Sequence, residues 1–140
     1  MNIDKFRHQH VTILDCIARL RQTVQAGIAE HANDIARQIV AMSGVIKLHL
    51  AIEDSTLYPA LAHSGDARLA RMGSRYQHEM AGIVDDYLSF AHRWNLGTHV
   101  AAQPDRFRAD ANRVLRVLYE RMRREDSEFY PAVEAGGAVG

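Results

Sequence analysis

The sequence predicts an all-α fold, an up-down-up-down four-helix bundle, on three observations. Apolar residues step by threes and fours through four long stretches, which is the mark of a helix with one buried face. Glycine and proline fall mostly between these stretches or near their ends. No run of alternating β-branched residues supports a strand.

The first helix has Asp4 as a candidate cap, Gly27 as a stop, and the stripe Phe6, His10, Ile13, Ile17, Leu20 and Val24. The second starts near Asn33 or Asp34 and reaches about His63, with Ser64-Gly65 as its stop. Its stripe is Ile35, Ile39, Met42, Ile46, His49, Glu53, Leu57 and Ala60. Asp66 caps a third helix ending around Asn95-Leu96-Gly97, whose stripe is Leu69, Met72, Tyr76, Glu79, Ile83, Tyr87, Phe90 and Trp94. A loop, GTHVAAQ, leads to Pro104, which is well placed in the first turn of the fourth. That last stripe is Phe107, Ala111, Val114, Leu118, Arg121, Glu125, Phe129 and Ala132. Residues 1–134 form one domain, and 135–140, AGGAVG, read as a flexible C-terminal tail.

Bulk properties narrow the function. Seventeen basic and seventeen acidic residues cancel, which argues against a general nucleic-acid or anionic-membrane binder. Cys16 is the single cysteine, so there is neither a disulfide framework nor a cysteine metal knuckle. No unbroken apolar run approaches about 18 residues, and MNIDKFRHQH lacks a signal-peptide core, so a cytoplasmic location is expected. No Ser-His-Asp set, Cys-His pair or phosphate loop appears, so the chain is not expected to be an enzyme.

One phrase is written twice: HLAIEDSTLYPAL at 49–61 and RMRREDSEFYPAV at 121–133. If helices one-two and three-four form similar hairpins, the two copies face each other across a pseudo-twofold axis. Pro59 and Pro131 suggest a shared helix-ending device. That accounts for Tyr-Pro but not for ionisable residues inside apolar stripes. His10, His49 with Glu53, Glu79, and Arg121 with Glu125 all interrupt hydrocarbon, and unpaired burial of each would cost on the order of 1–3 kcal/mol or more. A metal site or a buried polar network would satisfy them. His49 and Glu53 stand at i and i+4, on one face, so they can hold one cation. Imidazole with carboxylate favours Fe, Mn or Zn over Ca or Mg.

RHQHVTIL, HLAIEDSTLYP and REDSEFYP together resemble the hemerythrin-like (HHE cation-binding) domain over nearly the whole chain. The resemblance implies a bundle holding non-haem iron, often as a pair bridged by two glutamates. It assigns His10, His49, Glu53 and Glu125 as ligands by matching position. Two positions depart from the pattern. Arg121 stands where the fourth helix would offer histidine, and a guanidinium has no lone pair for a metal. On the third helix, in YQHEM, the stripe favours Glu79 over His78 as the inward residue and fifth metal candidate. His8, His31, His63, His92 and His99 read as surface histidines.

The expectation is therefore an asymmetric centre, mononuclear or unevenly dinuclear, with Arg121 paired to Glu79 or Glu125. The implied partners are a metal ion and O2 or NO, in sensing, storage or stress response, without nucleic acid or membrane, as a monomer or homodimer. A ferritin-like oxidase is disfavoured, because no E-x-x-H starts at Glu53, Glu79 or Glu125. The alternative is a metal-free interaction module with a satisfied polar core.

Overall fold

The computed structural model describes residues 3–136. Four rods form a ring in which each contacts its neighbours in up-down-up-down order. The first is α1, Ile3–Ala26. The second is α2, Ala32–Ile52, continuing through a widened turn, Glu53–Leu57, into α3, Tyr58–Ala62. The third is α4, Ala67–Arg93. A short α5, Gly97–Ala102, leads to the fourth rod: α6, Pro104–Arg124, a second widened turn at Glu125–Phe129, and α7, Tyr130–Gly136. No strand occurs among the described residues.

Most of the punctuation acts as the sequence suggests. Gly27 breaks away from α1 at φ 131°, and Gly65 turns at φ 79° ahead of α4. Asp66 caps α4 by accepting from the backbone N–H of Arg68 and Leu69 at 3.0 and 3.2 Å. Asp4 differs from expectation: α1 already runs at Ile3, so Asp4 lies within the first turn and accepts from Arg7 at 3.3 Å. The expected loop after α4 is instead α5, which buries Val100 and sits against α2 and α6. Of the expected tail, Ala135 and Gly136 continue α7, and 137–140 lie outside the described residues.

Pro59 and Pro131 do not end their helices. A proline has no N–H to donate and its ring crowds the carbonyl four residues back. The chain accommodates this by widening one turn: Tyr58 N–H bonds to the Glu53 carbonyl and Tyr130 N–H to that of Glu125, five residues back. The serine of each phrase returns a hydrogen bond to the carbonyl three residues earlier, Ser55 to Ile52 (3.2 Å) and Ser127 to Arg124 (3.4 Å). The extra residue rotates the remaining helix by about 100°. Tyr58, Leu61, Tyr130 and Val133 are therefore buried, while the stripe positions Ala60 and Ala132 are only half-buried.

The hydrophobic interior falls into two clusters. The larger, from Ile13 and Ile46 to Trp94 and Phe107, fills one end. The smaller, with Phe6, Leu57, Tyr76, Phe129 and Tyr130, fills the other. Among the described residues, the buried acidic and basic side chains are His10, His49, Glu53, Arg121 and Glu125, all borne at the junction of the two. By length and composition alone, Ala32–Ala62 is apolar enough to cross a membrane, a feature that a search for unbroken apolar runs overlooks because Arg37 and Lys47 interrupt it. Its inward stripe lies in this core and carries His49 and Glu53.

Candidate metal centre

Four of the five metal candidates converge. His10 on α1, His49 at the end of α2, and Glu53 and Glu125 at the start of the two widened turns are all essentially inaccessible to solvent. The Nε2 atoms of His10 and His49 are 3.1 Å apart. His10 Nε2 lies 3.1 Å from Glu125 Oε1, and His49 Nε2 lies 3.1 Å from Glu53 Oε1. One ligand atom each from His10, His49 and Glu125 fit within 4.8 Å of one another. Around a cation with bonds of about 2.1 Å, ligand atoms sit about 3–4 Å apart, and the three 3.1 Å separations match that spacing.

The outer nitrogens fix the tautomers. His10 Nδ1 faces Asp126 Oδ1 at 2.9 Å, and His49 Nδ1 faces Gln9 Oε1. Both partners are acceptors, so each Nδ1 carries a hydrogen and donates it. A neutral ring then has its lone pair on Nε2, aimed at the other ring and at carboxylate oxygens. Glu53 Oε1 and Glu125 Oε1 have no hydrogen-bond partner although buried. Lone pairs thus face lone pairs, and something positive must enter.

A proton is the other candidate. Burial opposes charge on His10, but the facing Glu125, helped by Asp126 and Glu53, outweighs it and raises the His10 pKa above its ordinary value. Burial likewise pushes Glu125 upward, and His10 and Arg121 overcome this to hold it below its ordinary value. A proton satisfies one pair of lone pairs; a divalent cation satisfies them all. The donor set of two imidazoles and two carboxylates matches a first-row transition metal.

The fifth candidate is not brought to this cluster. The stripe places Glu79 inward, but its side chain is 41% exposed. The buried face of α4 is carried by Tyr76, Met80, Val84 and Tyr87, and Glu79 is one residue, about 100°, off it. His78 is exposed as well. Glu79 instead meets Arg121, whose guanidinium fills the other half of the polar layer. Arg121 Nε donates to Glu125 Oε2 at 3.0 Å, Nη1 to Glu79 Oε1 at 3.2 Å, and Nη2 to the Tyr76 carbonyl. Its Cζ lies 4.3 Å from the centroid of the Tyr76 ring. Both pairings that the sequence suggests, with Glu79 and with Glu125, are made at once.

Three contributors escape the sequence reading. Tyr130 donates to Glu53 Oε2 at 2.8 Å and its oxygen is 3.1 Å from His10 Nε2. Burial, then the charges of Glu53 and Glu125, raise its pKa, so it stays a donor. Asp126 and Gln9 hold the imidazoles. The repeat held the signal for two of these. In E-D-S-x-x-Y-P, Asp126 grips His10, while Asp54 of the other copy accepts from Gln77 at 3.1 Å. Gln77 thus occupies on α4 the partner position that His10 occupies on α1.

Comparison with known families gives a match to the Hemerythrin HHE cation binding domain, over residues 1–133. No curated protein and no solved structure gives a match. A cation-binding domain agrees with the reading of a binding protein rather than an enzyme.

Proposed function

Because the chain belongs to the hemerythrin HHE cation-binding domain family, we propose that it binds iron in an asymmetric His/carboxylate centre and serves O2, NO or iron sensing, storage or stress response. His10, His49, Glu53 and Glu125 hold the ion, and Mn or Zn are the competing metals for this donor set. Arg121 supplies a fixed positive charge where a second ion would otherwise neutralise Glu125. Glu79 serves as the partner of Arg121. Bound iron would supply a coordination position for a diatomic ligand. Tyr130 contributes a buried hydroxyl beside it, and the two apolar clusters exclude water.

The observation that carries this reading is the set of facing lone pairs, with both Nδ1–H groups already committed and two carboxylate oxygens unpaired. A metal-free polar module draws its support from Arg121, which satisfies its own half of the layer, but even with a proton between His10 and Glu125 it leaves Glu53 Oε1 facing His49 Nε2 at 3.1 Å with no hydrogen between them. Cys16, free and half-buried, suits a reducing compartment, and a cytoplasmic location is part of the proposal.

Elemental analysis of protein from iron-replete cells tests the centre. About one iron per chain is expected; two tightly held irons would overturn the asymmetry, and none would favour the module. Ferrous protein exposed to NO should give the paramagnetic signal of an iron-nitrosyl, and silence there would remove the gas-binding part. Chelator should lower the melting temperature only if the cluster holds a cation.

A further inference from the structure

A second cleft lies between α1 and α6, away from the polar layer. Its volume is about 570 Å³, within the roughly 300–1,000 Å³ range of small-molecule sites. Leu20 on α1 is ten residues beyond His10, or about 15 Å along the helix, so the cleft does not share the metal ligands.

Its chemistry is divided. The floor is apolar, made by Leu20, Val24, Ala111 and Leu115. The small side chain of Ala111 leaves the room, whereas the place a Cβ would take at Gly27 is filled by Glu30, which does not line the cleft. Three arginines, Arg21, Arg108 and Arg116, stand round it, and no aspartate or glutamate lines it. Arg108, Asn112 and Arg116 succeed one another at i, i+4 and i+8 on α6, and Arg21 and Gln25 at i and i+4 on α1, so each helix offers one row of donors.

Three other arginines of α6 are ion-paired, while Arg106 meets only the Gln103 amide. Arg113 meets Asp86 and Asp110, Arg121 meets Glu79 and Glu125, and Arg124 meets Glu128. Among the described residues, no ion pair or side-chain hydrogen bond engages Arg21, Arg108 or Arg116. In a chain of zero formal charge, three unpaired like charges gather over hydrocarbon. We propose that this cleft binds a small organic anion, with its carboxylate or phosphate on the arginines and an apolar body on the floor. Guanidinium forks match both anions bidentately, and the Gln25 and Asn112 amides add neutral donors.

The experiment titrates the full-length protein with anilinonaphthalene sulfonate, an anionic dye with an apolar body, followed by fluorescence and displaced by octanoate. Saturable binding and displacement are expected. The R108Q/R116Q double variant, exposed and outside the core, should weaken both by at least about tenfold with an unchanged circular dichroism spectrum. Arg71→Gln on α4 should change nothing. The proposal is overturned if no saturable binding occurs, or if R108Q/R116Q binds like the parent. It also fails if octanol displaces the dye as well as octanoate does, because charge would then be irrelevant. Equal displacement by inorganic phosphate would sink the apolar half.

Discussion

Asp126 and Arg121 show how single side chains decide what this centre can hold. Asp126 fixes His10 from behind, so Asp126→Ala frees the ring to rotate and to change tautomer. Metal affinity should drop about 10–100-fold, read by competition with a chromophoric chelator, with helix content unchanged. Arg121 is different, because it neutralises buried charge. Arg121→Ala would leave Glu125 with a single partner, His10, and Tyr76 without the nearest of the guanidinium groups over its ring. A loss of about 3–5 kcal/mol is expected in denaturant unfolding of the metal-free protein. The sequence made His10, His49, Glu53, Glu125 and Arg121 legible because an ionisable residue inside an apolar stripe must find a partner. It did not make Tyr130 legible, because a tyrosine near a proline looks like ordinary core. The Glu79 facing was off because a helical wheel has no fixed zero: one residue of phase separates a groove edge from the interior.

At the level of elements, the repeated phrase builds a widened turn rather than a helix stop. Period counting assumes an unbroken 3.6-residue turn, so it tracks the stripe correctly to Leu57 and Phe129 and slips at Ala60 and Ala132. α5 was hidden for another reason: six residues are too few to show a period. Its docking depends on Gly97, where an added Cβ would come within 1.9 Å of Asn33 Oδ1 and 2.9 Å of Asn33 Cα. The side-chain oxygen can move aside but the backbone cannot, so Gly97→Ala should cost about 1–3 kcal/mol in thermal unfolding. α7 is tied to α1 by Arg7 and Glu134, and that hydrogen bond holds the Glu134 carboxyl below its ordinary 4.5. The contribution is present above that value and is lost as pH falls through the lowered one. The protection of the α7 amides, taken relative to their intrinsic exchange rate at each pH, should therefore fall under acid, and Arg7→Gln should abolish the acid step.

Across the whole molecule, the bundle and its ring order were readable because four amphipathic stretches with short connections leave few other arrangements. What no stripe reveals is that the interior is two apolar bodies with an ionic floor between them. Such a partition has a thermodynamic consequence. Hydrocarbon couples the two ends poorly across a layer of charge, so cooperativity must come from whatever bridges the four rods there. Without a bound ion, the protein should melt in two steps, the end with Tyr76 and Phe129 loosening before the longer Ile13–Trp94 end. With the ion bound, a single calorimetric transition is expected, its van't Hoff and measured enthalpies in agreement. The cation would then be a keystone, joining two half-proteins into one folding unit.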